Sequence, residues 1–90
     1  MIVTVYTKPG CQPCRATLRR IGTARPGVQL VILDAREHVE LLAYWNMTSA
    51  PVVSVVPNEG ETLPDGAVWT KWSGYRPDLI DATLPPLEPA

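Results

Sequence analysis

The spacing of apolar positions along the first half of the chain predicts a strand, a helix and a second strand. Residues 2–6 are β-branched or aromatic and precede the breaker pair Pro9-Gly10, which predicts a strand. From Gln12 to about Ala24, apolar residues recur at steps of three and four, which predicts an amphipathic helix. Residues 28–33 are almost all apolar, so we expect a strand covered on both faces of a parallel sheet.

The second half of the chain predicts another helix, a hairpin and a last helix. Apolar residues at helical spacing follow Asp34, and Asn46 suits the left-handed position that ends a helix. Residues 51–56 and 67–72 predict two strands, and the polar, turn-rich stretch 57–66 between them predicts a long, solvated connection. The resulting order, βαβαββα, makes the first two strands parallel and the last two antiparallel. The fold class is therefore α/β, with a four-stranded mixed sheet and three flanking helices.

Length and charge limit the organisation and the partners. A chain of 90 residues supports one hydrophobic core, and we expect a single domain over residues 1–84 with a flexible tail over residues 85–90. The formal net charge of −1 offers no positive field for a phosphate backbone, so nucleic acid is not an expected partner. Neither a basic leader nor a long apolar segment is visible, so we expect no membrane association, a cytoplasmic location and a monomer.

The two cysteines, Cys11 and Cys14, are three positions apart and belong to the stretch TKPGCQPCR. A disulfide that closes so short a loop constrains the unfolded chain little, so a purely stabilising role is disfavoured. Zinc needs about four ligands, of which this pair supplies two, and His38 is the only histidine. An iron–sulfur cluster bridging two chains remains conceivable. A redox-active dithiol with no bound cofactor is the favoured interpretation.

The place of the pair at a strand-to-helix junction predicts different roles for the two thiols. Exposed amides and the helix dipole favour a thiolate at Cys11, which makes it the nucleophile. Cys14 lies one turn further, more buried, and is the expected resolving thiol. Pro13 fits the first helical turn. Lys8 either assists the thiolate or is simply solvated.

Three further stretches resemble the NrdH redoxins, which are glutaredoxin-like proteins of the thioredoxin fold. They are Val3-Thr4-Val5-Tyr6-Thr7-Lys8-Pro9, Ala50-Pro51-Val52-Val53 and Trp72-Ser73-Gly74-Tyr75-Arg76-Pro77-Asp78. The resemblance extends from about Ile2 to Leu84. It implies a dithiol–disulfide oxidoreductase that draws electrons from NADPH only indirectly, through thioredoxin reductase. The implied electron acceptor is the class Ib ribonucleotide reductase, in deoxyribonucleotide synthesis.

The same resemblance implies a set of residues that contact the substrate or partner. Taken alone, the Ala50-Pro51 bond is expected to be trans, whereas the family places a cis-proline opposite the dithiol. The last stretch corresponds to the surface beside the active site, although Trp72 and Tyr75 could equally be packing residues. Trp45 and Trp69 are expected to pack against the sheet or cover its edge. The expected contacts are Lys8, Gln12, Pro13, Ala50, Pro51, Trp72, Ser73, Gly74, Tyr75 and Arg76.

Two departures from the family leave other functions open. Gln12-Pro13 replaces the family's usual residues between the cysteines, and proline there is a thioredoxin feature, so we expect a redox potential toward the reducing end. The connection 57–66 is longer than the family's turn and could alter which partner docks. A glutathione-dependent glutaredoxin and a non-catalytic thioredoxin-like binding module are the alternatives.

Overall fold

Four strands and three helices form the molecule in a computed structural model that describes residues 1–87. Residues 88–90, the end of the tail that was expected to be flexible, lie outside the described residues. The elements in chain order are β1 (Ile2–Thr7), α1 (Gln12–Ile21), β2 (Gln29–Asp34), a 3-10 turn (Ala35–Glu37), α2 (Val39–Tyr44), β3 (Val52–Val56), β4 (Thr70–Ser73) and α3 (Pro77–Thr83).

The strands form one mixed sheet in the order β2-β1-β3-β4. β1 and β2 are parallel, whereas β3 runs antiparallel to both β1 and β4. The predicted order βαβαββα and the mixed sheet are therefore confirmed, because a helical crossover returns the chain parallel and a hairpin returns it antiparallel.

Alternation along the strands divides the apolar side chains between the two faces of the sheet. The larger core joins Val5, Val53 and Trp72, which are cross-strand neighbours, to Ile21 of α1 and Ile80 of α3. A smaller core on the other face joins Tyr6 and Val52 to Ala35 and Leu42. Packing against the larger core holds α3 and α1, the helix that begins at the dithiol, over the centre of the sheet.

β2 is only partly covered, so the prediction of a strand buried on both faces is wrong, although Leu30 packs against the larger core and Leu33 against the smaller one. The strand lies at the edge of the sheet, and Ile32 is 54% exposed. Its apolar run looks like that of a central parallel strand, but the two central positions belong to β1 and β3. A local pattern of residues does not determine which strand ends at the edge.

The first helix begins at Gln12 as predicted but ends earlier than Ala24, for a local reason. α1 stops at Ile21 because Gly22 adopts φ 67° and its N–H bonds the carbonyl of Leu18. A side chain at Gly22 would also meet Leu87, whose Cδ2 lies 3.0 Å from the position of an added Cβ. Asn46 has φ 58°, which confirms the left-handed residue expected after α2.

The connection between β3 and β4 is anchored in the core and is not simply a solvated excursion. Leu63 is 3% exposed and packs with the larger core. Its N–H donates to the carbonyl of Ala67 at 2.9 Å, and Gly66 donates back to Leu63 at 2.7 Å. Because Ala67 is used in this turn, β4 begins at Thr70 and not at residue 67.

Candidate active site

Cys11 and Cys14 form a disulfide at the N-terminus of α1, with their Cα atoms 5.2 Å apart. Cys11 is the N-cap residue, and its Sγ accepts a hydrogen bond from the Cys14 N–H at 3.1 Å. Cys14 is 3% exposed, whereas Cys11 is partly exposed. The expected difference in burial is thus confirmed, and the more accessible sulfur is the one that faces the unpaired amides of the helix end.

The local sequence explains why the cysteines lie at this junction. Pro9 and Gly10 end β1, and Gly10 takes φ 68°, a conformation that other residues rarely adopt. Pro13 lies in the first turn of α1, where a missing N–H has no intrahelical partner to lose. Gln12 and Pro13 are both exposed, so a docked partner would reach them.

The loop before β3 lies directly opposite Cys11. The Ala50-Pro51 peptide bond is cis, as the family resemblance predicted and the bond considered alone did not. The Ala50 carbonyl oxygen lies 3.8 Å from Cys11 Sγ. Pro51 is buried, and its carbonyl accepts a hydrogen bond from the Gly74 N–H at 2.8 Å.

The end of β4 is tied to the same loop. Ser73 Oγ donates to the Ser49 carbonyl at 2.6 Å, one residue before Ala50. Together with the Gly74–Pro51 bond, this contact holds the segment after β4 beside the dithiol. The structure therefore brings Cys11, Ala50, Pro51, Ser73 and Gly74 together, although they come from three distant parts of the chain.

Trp72 differs from its neighbours because its indole is buried. It is 5% exposed and packs in the larger core, so the expectation of a partner contact is wrong for its side chain and the packing alternative holds. Tyr75 is 40% exposed. Arg76 is also exposed and forms a two-point ion pair with Asp78, at 3.1 and 2.8 Å, which lowers the pKa of that carboxyl.

A small cavity of about 220 Å³ next to Ala50 was not predicted from the sequence. Lys8 and residues of α2 both line it. All of the lining residues except Lys8 come from residues 35–50, but the sequence carries no signal that their side chains surround a cavity. The lining residues are Lys8, Ala35, Arg36, Val39, Leu42, Ala43, Thr48 and Ala50.

Metal-ligating side chains do not converge anywhere in residues 1–87 in a group of three or more. His38 caps the start of α2 and packs edge-on against the Tyr6 ring, with the ring centroids 5.3 Å apart. Trp45 packs against the smaller core, and Trp69 Nε1 donates to Ser54 Oγ at 3.0 Å, as expected for residues that cover the sheet. Within the same described range, no helix has the length and apolar content needed to cross a bilayer.

The arrangement of the two sulfurs suits thiol–disulfide exchange. An accessible sulfur at a helix N-terminus attacks an external disulfide, and a buried neighbour within bonding distance completes the transfer. The pair is redox-active through its own disulfide and needs no bound cofactor for this reaction.

Comparison with known proteins identifies relatives of both sequence and structure. No family model matches the chain. The Gene 56 protein of Mycobacterium phage L5 is 31% identical over 86 residues, covering 91% of this chain and 71% of that protein. The Gene 56 protein of Mycobacterium phage D29 is 26% identical over 84 residues, covering 91% and 81%.

Solved structures share the fold over most of the chain. The NrdH-redoxin of Escherichia coli, described as a glutaredoxin-like protein with a thioredoxin-like activity profile, superimposes with a TM-score of 0.66 at 28% identity, covering 100% of this chain and 99% of that one. Mitochondrial thioredoxin 3 of Saccharomyces cerevisiae gives a TM-score of 0.63 at 19% identity, covering 89% and 72%, which shows the fold alone. The chain therefore belongs to the family of the mycobacteriophage Gene 56 proteins, and it is a NrdH-like redoxin, a thiol–disulfide oxidoreductase of the thioredoxin fold.

Proposed function

We propose that this redoxin is a cytoplasmic electron donor that reduces a disulfide in a ribonucleotide reductase and is itself re-reduced by thioredoxin reductase. The observation that carries the proposal is the partly exposed Cys11 at the helix N-cap, its sulfur 3.8 Å from the Ala50 carbonyl, with Cys14 buried behind it. A partner chain lying along the Ala50-Pro51 loop would present its own sulfur to Cys11.

The reaction consists of two exchanges. In the first, the Cys11 thiolate attacks one sulfur of the partner disulfide, the partner's S–S bond breaks, and its other cysteine leaves as a thiolate. In the second, Cys14 loses its proton and attacks Cys11 Sγ. The mixed disulfide breaks, the Cys11–Cys14 disulfide forms, and the partner leaves as a dithiol that has gained two electrons.

The choice of reductase rests on the similar structure of the E. coli NrdH-redoxin and on the residues between the cysteines. The E. coli NrdH-redoxin is described as having a thioredoxin-like activity profile, although it is glutaredoxin-like. Gln12-Pro13 also places proline where thioredoxins have it. Both features favour thioredoxin reductase over glutathione as the source of electrons.

A coupled assay tests the proposal. The protein is mixed with NADPH, thioredoxin reductase and an oxidised class Ib ribonucleotide reductase, and NADPH oxidation is followed by absorbance. We expect turnover that disappears in Cys11→Ser. A parallel reaction with glutathione and glutathione reductase should be much slower. Faster turnover with glutathione, or none with thioredoxin reductase, would refute the assignment of the reductase.

Trapping identifies the acceptor independently of the reductase. In Cys14→Ser the second exchange cannot occur, so Cys11 should remain joined to the acceptor as a mixed disulfide that dithiothreitol releases. The matched control is Cys11→Ser, which should trap nothing. If Cys11→Ser traps the ribonucleotide reductase and Cys14→Ser does not, the two roles are reversed.

A further inference from the structure

A groove rich in arginine lies between α3 and α1, the helix that begins at the dithiol. It has a volume of about 650 Å³. We call it the arginine groove and define it by the residues that line its polar part, which are Arg19, Arg20, Arg25, Tyr75 and Asp81. The reaction of the two cysteines uses none of these side chains.

The charges of the arginine groove do not balance. Arg20 pairs with Asp81, and its Nε lies 3.0 Å from Asp81 Oδ1. Arg25 is buried and donates only to backbone carbonyls, so it forms no ion pair with any of the described carboxylates, although its charge acts on Asp81. Arg19 is exposed and forms no ion pair with any of the described residues. The lining thus carries three guanidinium charges and one carboxylate, and Arg19 is the exposed arginine among them without an ion pair to the described residues, so the groove attracts negative charge.

Two residues that line the groove, one on each wall, adjoin residues of the active site. On α1, Ala16 lines the groove and lies one turn beyond Gln12, the residue between the cysteines. On the other wall, Tyr75 follows Gly74, whose N–H bonds the Pro51 carbonyl. A chain bound at Cys11 can therefore continue along α1 without leaving the surface of the molecule.

Distance determines which part of a bound chain would reach the arginines. Eight residues separate Gln12 from Arg20, which is about 12 Å along a helix axis at 1.5 Å per residue. An extended chain advances about 3.3 Å per residue, so about four residues cover this distance. A side chain three to five residues from the attacked cysteine would lie in the groove.

We propose that the arginine groove binds acidic side chains of the disulfide-containing partner, three to five residues from the cysteine that Cys11 attacks. This inference rests on the proposed function, because it assigns a specificity to the same protein substrate. The groove recognises carboxylates on an extended chain, and the partner's acidic segment supplies the charge that the groove lacks.

Single-turnover reduction of synthetic peptides tests the inference without any reductase. The protein is reduced with dithiothreitol, freed of it, and mixed with a peptide that contains one internal disulfide. Three glutamates stand three to five residues from one cysteine, before it in one peptide and after it in another. Matched peptides carry glutamine instead. Each rate is divided by the rate with neutral bis(2-hydroxyethyl) disulfide, which reports the reactivity of the dithiol itself.

We expect at least one glutamate peptide to be reduced about five-fold faster than its glutamine match at low ionic strength, and the ratio to approach one at high salt. Arg19→Glu should lower the ratio by about two- to five-fold, which corresponds to the free energy that an exposed ion pair contributes. Lys71→Glu causes the same change in net charge on the face of the sheet away from α1 and α3. Lys71 is the cross-strand neighbour of Ser54 there, and its replacement should leave the ratio unchanged.

Three results would overturn the inference. They are equal rates for the glutamate and glutamine peptides, a ratio that Arg19→Glu does not change, and a ratio that Lys71→Glu lowers as much as Arg19→Glu. Failure of the proposed function would look different, since peptides would be reduced by the dithiothreitol-reduced protein while thioredoxin reductase and ribonucleotide reductase gave no turnover.

Discussion

Arg25 closes the C-terminal end of α1, and its replacement by methionine should destabilise the fold. Its guanidinium donates to the carbonyls of Ile21 at 2.7 Å, Arg20 at 2.9 Å and Pro85 at 2.7 Å. The first two are carbonyls that the last turn of a helix leaves unpaired. The third fixes the segment that follows α3 against α1. Methionine keeps most of the length of the side chain but removes every donor.

The size of the effect follows from the burial of each bond. The bond to the Ile21 carbonyl is buried, so its loss leaves an acceptor without water and costs about 1–3 kcal/mol. The other two bonds are partly buried, and water can replace the guanidinium, so each contributes roughly 0.5–1.5 kcal/mol. Because relaxation and solvent access reduce the total, we expect Arg25→Met to lose about 2–4 kcal/mol.

Urea denaturation followed by circular dichroism measures this loss. Arg25→Lys should recover only part of it, since a single ammonium cannot reproduce the planar fork of donors. Arg19→Met is the matched control on the exposed surface of the same helix and should stay within about 0.5 kcal/mol of the parent protein. A loss below about 1 kcal/mol for Arg25→Met, or one equal to that of Arg19→Met, would refute the assignment.

Three further predictions concern the thiol, acid stability and the core. In the reduced protein, the N–H of Cys14 and the helix end should hold the pKa of the Cys11 thiol below about 8.5, and a midpoint of alkylation by iodoacetamide at or above that value would contradict this. Arg36 lowers the pKa of Asp34 from 3.8 to about 2. Between these two pKa values the Asp34 carboxyl is ionised in the folded protein and protonated in the unfolded one. The stabilisation by the ion pair with Arg36 is therefore present above about pH 4 and is lost as the pH falls to about 2. The stability of Asp34→Asn should fall less steeply with pH in this range, and an unchanged slope would count against the Asp34–Arg36 pair. Ile80 is fully buried, so Ile80→Val should lose about 0.5–1.5 kcal/mol in urea, and no loss would mean that its packing is loose.

Much of the fold could be predicted because its signals are local. The Pro9-Gly10 pair ends β1 and Asn46 follows α2, each at a backbone conformation that its residue type favours, whereas α1, which ends before Gly22, was predicted to end three residues later. The order of helices and strands then fixes which neighbours are parallel. The exposure of Ile32 and the burial of Leu63 could not be predicted in this way, because both depend on which elements meet across the sheet.

The site shows the same division between local and distant information. Cys11 and Cys14 could be assigned from three-residue spacing, since a helix N-cap and its first turn determine their relative positions. The arginine groove could not, because its walls come from segments far apart in the chain. The cavity beside Ala50 could not either, because it depends on how Lys8 packs against residues 35–50. A family resemblance supplied the cis bond before Pro51, for which the local sequence offers no indication.

The segment after β4 shows why residues of one motif need not share one role. Trp72 pairs with Val53 and therefore points into the core, because side chains on a strand alternate between faces. Alternation ends with the strand at Ser73, and Gly74, at φ 87°, turns the chain toward the dithiol. Tyr75 and Arg76 thereby reach the surface. Contacts with a partner should therefore come from the residues after the strand, while the tryptophan supports them from beneath.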